Sequence, residues 1–284
     1  MREQDIFEEL ESAYQVAIAN QDAETIQAIL NNPVVESLKA SPEYYMKGLM
    51  LRASGFTLFG ELDLASDEYA LGYEFLDEDA DTAEFLVDWA LIFLAELSIN
   101  RGEEYRVDAM SKGVLLLEKA RWELDDEDVF GQLTIANLKA FMLMQKGDVS
   151  ASLEVFEDVS FEPIPIPRVN DAADLVDFFS HIHKGLAVAI EAKDVNLLLN
   201  MIQCLSIDDE SLSEDQTLFK LFNTTIGFLF ELRNEFTDEF NTLFRLKDNL
   251  RDAMPNYAHF MDLIGEQDFD ALTLFFASFH KDEL

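Results

Sequence analysis

Apolar residues recur at three- and four-residue spacing along nearly the whole chain, and no stretch sustains a strict alternation of apolar and polar positions. That period is the one an α-helix presents to a core, so the chain is expected to be all-α. Helices are predicted near residues 4–19, 23–31, 42–59, 63–76, 82–100, 104–123, 128–146, 149–159, 171–192, 195–205, 214–233, 236–250, 256–265 and 268–281. The breaks between them are short, so consecutive helices should fold back on one another as antiparallel pairs.

The pairs share a pattern. In YMKGLMLRASGFTLFGELDLASDEYALGYEFLD, Leu49, Ala53 and Phe56 alternate large and small on a first helix, Gly60 makes the turn, and Ala65, Tyr69 and Gly72 continue on a second. Small residues let two helices approach while large ones from the neighbour fill the groove between them. Ala136, Ala140 and Leu143, the turn Gly147-Asp148, and then Ser152, Phe156 and Val159, closed by Pro163, repeat the scheme. A third copy sets Ala271, Phe275 and Ser278 after Gly265-Glu266-Gln267-Asp268. This arrangement resembles the tetratricopeptide repeat, and the resemblance implies a right-handed α-α superhelix, a solenoid of about seven helix pairs. Val16, Ala17, Ile18 and Asp22 also recur as Val188, Ala189, Ile190 and Asp194, and Gly55-Phe56 as Gly227-Phe228, all at one offset of 172 residues. Two related blocks of repeats, 1–160 and 171–284, are therefore expected. Between them the prolines of SFEPIPIPRVND exclude a helix and favour an extended connector over 161–170, with Asn170 or Asp171 capping the helix that follows.

Charge narrows the function. With 57 acidic against 20 basic residues the formal net charge is -37, a field that repels phosphate backbones and argues against direct nucleic-acid binding. Basic proteins or peptides are the natural electrostatic partners. At 49% hydrophobic content the chain has ample material for a core. Its longest apolar stretch, FLVDWALIFLAELSI, carries Asp88 and Glu96 and is too short for a bilayer of about 30 Å, so no membrane partner is expected. The closing letters KDEL spell a luminal retention signal, but MREQDIFEELESAYQVAIA lacks the basic start and apolar run of an entry sequence. Those letters read instead as the frayed end of the last helix. The lone cysteine, Cys204, cannot form an internal disulfide, which together with the missing entry sequence leads to a cytoplasmic expectation.

Candidate chemistry is sparse. Asp77, Asp79, Asp81 and Asp88 fall on calcium-loop spacing, but Thr82 stands where the sharp turn needs glycine and Glu84 where a hydrophobe is usual. The stretch therefore reads as an acidic turn in which Asp81 caps the next helix. Similar acidic turns lie at 125–128 and 208–210. His181 and His183, two apart on a helix, point about 200° away from each other and cannot readily share an ion, so one should pack at a repeat junction while the other faces groove or solvent. No GxSxG, HExxH, CxxC or phosphate-binding loop is present, so no catalytic residue, metal or cofactor is assigned.

Stacked repeats expose one side of each first helix as a groove. Projecting the repeat register places Lys47, Met50 and Ser54 there, followed by Trp89, Glu96 and Asn100, then Asn137, Phe141 and Met144, then Ser180 and His183. Asparagine amides can hold an extended backbone, and Met and Phe form adaptable apolar pockets. The expected function is non-enzymatic recognition of a peptide or protein segment. Within the wider family the irregular, Phe-rich repeats look similar to the peptide-sensing domains of Rgg- and Rap-type regulators, without their helix-turn-helix. The alternative is an acidic escort or nucleic-acid mimic that binds a basic protein. The terminal helix DFDALTLFFASF is apolar on more than one face, which also makes a homodimer through it an expectation.

Overall fold

The computed structural model describes residues 2–76, 81–125, 127–161, 172–204, 245–266 and 268–279. All regular structure among them is helical. The helices are α1 (Glu3–Ala19), α2 (Ala23–Leu30), α3 (Val34–Ser37), α4 (Pro42–Leu58), α5 (Leu62–Tyr73), α6 (Thr82–Ile92), α7 (Glu96–Ile99), α8 (Glu103–Glu123), α9 (Val129–Gln145), α10 (Val149–Glu154), α11 (Ala172–Ala192), α12 (Val195–Gln203), α13 (Pro255–Glu266) and α14 (Phe269–Ala277). Short 3₁₀ turns follow α3 at Leu38–Ala40 and precede α7 at Phe93–Ala95.

Three local features depart from the pattern-based expectation. The short α3 and its 3₁₀ turn fill a stretch expected to be a loop, because Val35 and Leu38 are wholly buried there. The helix expected over 82–100 breaks at Phe93–Ala95. The helix expected to reach residue 159 ends at Glu154. The connector 162–170, the expected helix 214–233, all of 236–250 before Arg245, and the KDEL terminus lie outside the described residues. Residues 245–250 are helical.

One turn geometry recurs between paired helices. The first helix ends and a backbone N–H reaches back across the turn: Asp22 to the Ala17 carbonyl, Glu61 to Phe56, Asp148 to Leu143, Asp194 to Ala189 and Asp268 to Leu263. In the first four the residue before the acid is left-handed, at φ 54° for Gln21, 74° for Gly60, 82° for Gly147 and 55° for Lys193. That conformation satisfies the last carbonyls of the finished helix. The acid then starts the next helix, with Asp22, Asp148, Asp194 and Asp268 accepting from the N–H of Thr25, Ala151, Leu197 and Ala271. The offset similarity thus corresponds to one physical object: Ala17–Asp22 and Ala189–Asp194 are the same turn made twice. Asp81 and Asp128 cap α6 and α9 in the same way, through the N–H of Glu84 and Gly131.

Helices pack chiefly on their neighbours in chain order: α4 on α5, α6 on α8, α8 on α9, α9 on α10 and α11, and α11 on α12 and α13. Within a pair, small residues set the approach. Ser152 of α10 is buried and its hydroxyl donates to the Ala140 carbonyl of α9 at 2.8 Å. The apolar interior forms two clusters. One, from Phe7 to Leu51, joins α1, α2, α3 and α4; the other runs from Ala53 to Phe279 and is continuous from α9 to α11 on either side of the connector. Phe56 packs against both. Several basic side chains tie helices together: Arg52 to Glu68, Lys112 to Asp63, Lys139 to Glu118, and Lys247 and Arg251 to Asp262. Because acids so outnumber bases, these ties leave most carboxylates unneutralised at the surface.

Candidate functional site

On α1, Phe7, Glu11 and Tyr14 stand at i, i+4 and i+7, one face of the helix. On α4, Lys47, Met50 and Ser54 do the same at i, i+3 and i+7. Both helices belong to the N-terminal cluster, and their facing sides bound a surface cavity of about 450 Å³ completed by Gln15, Met46 and Leu51. That size lies in the range of about 300–1,000 Å³ in which small-ligand sites fall. Three residues assigned to a groove from the repeat register therefore do meet at one concavity.

The walls combine fixed and adaptable parts. Phe7, Tyr14 and Leu51 are buried at the base, while Met46 and Met50 are half-buried thioethers able to re-pack around an apolar side chain. The Tyr14 hydroxyl donates to Ser54 Oγ at 3.1 Å. Burial raises the Tyr14 pKa, and the bond to Ser54 offsets this in part, so the phenol stays neutral and holds its place as a donor. Lys47 Nζ lies 2.6 Å from Glu43 Oε1 and 5.2 Å from the Tyr44 ring centroid. Its bond to Glu43 is the main cause of a raised pKa, so it is charged but already paired. Glu11, Gln15 and Ser54 are exposed at the rim.

The remaining groove assignments separate from this cavity. Trp89 is half-buried, its indole N–H donating to Ser66 Oγ at 2.9 Å and its ring stacked on Tyr69, so it joins α6 to the preceding α5. Glu96 is buried. Its carboxylate accepts from the Arg101 backbone N–H at 3.1 Å and from the Arg101 guanidinium, which makes it the staple of the turn from α7 to α8. Asn100 is the exposed left-handed residue, φ 53°, of that turn.

Asn137, Phe141 and Met144 are all buried in the larger core. Neither the amide oxygen nor the amide nitrogen of Asn137 has a hydrogen-bond partner. A side chain on Gly185 of α11 would collide with Asn137 Oδ1, so the glycine is what lets α11 lie against α9 at that level. His183 is buried at the junction of α11 and α13, with the Tyr257 hydroxyl 2.5 Å from its Nε2. Burial, reinforced by the neighbouring Lys184 charge, lowers its pKa to about 3, which keeps the ring neutral. The side chains of Ser180 and His181 lie outside the described residues. Sequence reasoning thus found one wall of the cavity and missed the other: Phe7, Glu11, Tyr14 and Gln15 were not assigned to any surface, although α1 carries the helical period that the second wall requires.

Among the described residues no cluster of His, Cys, Asp and Glu is arranged to hold a metal ion, and no helix is long and apolar enough to cross a membrane. Cys204 is buried and free. Burial raises its pKa to about 11, so the thiol is protonated near neutrality. No family model matches the chain, and comparison with the curated proteins and with the solved structures yields no match either.

Proposed function

We propose that this protein is a non-enzymatic, peptide-binding helical-repeat protein of the cytoplasm whose recognition groove lies between α1 and α4. The paired helices form a tetratricopeptide-like right-handed solenoid, in which α1 and α4 are the first helices of successive pairs and line the concave wall. Two features support the repeat architecture: the five equivalent turns at Asp22, Glu61, Asp148, Asp194 and Asp268, and the packing of helices on their chain neighbours.

The convergence of Lys47, Met50 and Ser54 with Phe7, Tyr14 and Gln15 around one cavity carries the functional reading. Its apolar base with two methionines favours an apolar anchor side chain from the ligand, and Gln15 and Ser54 at the rim suit hydrogen bonds to the ligand backbone. A short segment of another chain, presenting one or two apolar side chains in an extended form, matches this site. Selection of a displayed random peptide library on the full chain tests the proposal. Enriched peptides should bind the Gln15→Arg protein at least tenfold more weakly than the wild type, because a guanidinium placed at the exposed rim of α1 fills the mouth of the cavity and leaves the Tyr14–Ser54 bond at its base in place. Equal affinity for both proteins, or no enrichment at all, contradicts it.

A further inference from the structure

We infer that a second surface, formed by α8, α9, the end of α10 and the residues after it, docks an arginine-bearing segment of a basic partner protein, with Trp122 as the stacking platform. Trp122 is 88% exposed, the most exposed large apolar side chain among the described residues. It stands at the edge of a cavity of about 690 Å³, whose wall includes the half-buried Val155 and Val159. Among the described residues the indole stacks on no other ring and forms no hydrogen bond, and at this exposure its removal leaves the core intact.

The surrounding charges select the occupant. Glu118 in the wall is neutralised by Lys139 at 3.0 Å. Glu154, whose Oε1 accepts from Ser150 Oγ at 3.0 Å, and Asp158 face the same cavity and form no ion pair among the described residues. Arg121 is the other cation of the wall, and the flanking Glu123, Asp125, Glu127, Asp128 and Glu157 are all exposed. An electron-rich aromatic face beside open carboxylates favours guanidinium, which can lie flat on the indole while its N–H fork reaches a carboxylate. Lysine is the poorer fit because a compact ammonium cannot do both, and an acidic segment is repelled. The neighbouring valines then take the apolar residues that flank the arginine. This surface is separate from the α1–α4 groove and does not depend on it.

The probe is a labelled acetyl-Leu-Arg-Val-Arg-Leu-amide, followed by fluorescence anisotropy on the full chain at low and physiological salt. Saturable binding is expected that weakens as salt rises, falls several-fold when lysine replaces arginine and vanishes when glutamate does. Trp122→Ala should weaken it at least tenfold, as should the double change Glu154→Lys with Asp158→Lys. All these positions are at the surface, and circular dichroism confirms that the folds are unchanged. No saturable binding up to about 1 mM peptide, a free energy weaker than about -4 kcal/mol, overturns the inference. So does wild-type affinity in Trp122→Ala, or self-association of the peptide-free chain that Trp122→Ala abolishes, since a second copy would then be the occupant.

Discussion

The two apolar clusters of this protein use the same turn and solve different problems. The N-terminal cluster of α1, α2, α3 and α4 is small, and every buried side chain in it is apolar or a tyrosine. The larger cluster encloses Glu96, Asn137, Gln145, Ser152, His183 and Lys184. A small cluster with few neighbouring helices has less to lose by opening. The groove proposed for peptide recognition lies in the smaller cluster, while the polar residues of the larger one are closed over and have become parts of the interior. The difference teaches that the number of helices closing over a residue, as well as its place on its own helix, decides whether it faces solvent or a neighbour.

The largest effect comes from truncating a core leucine in each cluster. Leu138 and Leu49 are both fully buried, so either change to alanine should remove about 2–5 kcal/mol locally. Leu138→Ala is expected to lower protection against hydrogen exchange from α8 to α11 and to reduce global stability, whereas Leu49→Ala should raise exchange only in residues 3–58. Uniform loss in both variants would dissolve the distinction between the clusters.

Glu96→Gln probes a polar group of the larger core. It removes the charge that binds Arg101 and weakens the acceptor of the Arg101 N–H, at a cost of about 1–3 kcal/mol read by denaturant titration. The Arg101 side chain is 38% exposed, so water can take over part of its hydrogen bonding and the lower part of that range is expected. A neutral outcome would show that the turn from α7 to α8 needs no staple.

His183 gives the larger core a pH dependence of its own. Its folded pKa of about 3 lies below the ordinary value of 6.5, so the unfolded chain binds the proton first as pH falls. The contribution is fully present above pH 6.5 and is lost on descending toward pH 3, at up to about 1.4 kcal/mol per unit. Relative to His183→Gln, which keeps an acceptor for Tyr257 but does not titrate, the wild type should therefore lose stability faster below pH 6.5. Parallel curves would mean that the ring is accessible to solvent.

The smallest effects compare the same turn in both regions. Gln21 and Lys193 are left-handed residues with a side chain. Replacing either by glycine should raise stability, each by at most about 1 kcal/mol. The gain at Lys193 should appear in the global transition, and the gain at Gln21 in local exchange of α1 and α2.

Much of this organisation was legible in the letters. Apolar spacing placed nearly all the described helices, and the identities Ala17–Asp22 and Ala189–Asp194 marked a turn whose two closing backbone bonds, to Ile18 and Ala17 and to Ile190 and Ala189, recur. Asp81 read correctly as a cap, since its carboxylate accepts the N–H of Glu84 at the start of α6. The groove was legible only in part. Lys47, Met50 and Ser54 share a face that meets a cavity, whereas Asn137 and His183 occupy comparable register positions yet are covered, since a periodic pattern shows which residues share a face and is silent on how many neighbours close over it. Glu96 was hidden for another reason: its role is a polar contact with Arg101 five residues on, across the helix end, and apolar spacing does not register such contacts.

The claim that the α1–α4 cavity is the recognition groove is tested most directly by hydrogen exchange on the full chain with and without a selected peptide. The account predicts added protection in residues 7–15 and 46–54, reaching into the rest of the N-terminal cluster and fading beyond Phe56. Protection confined to α9 and α11, or spread evenly over the chain, would contradict it.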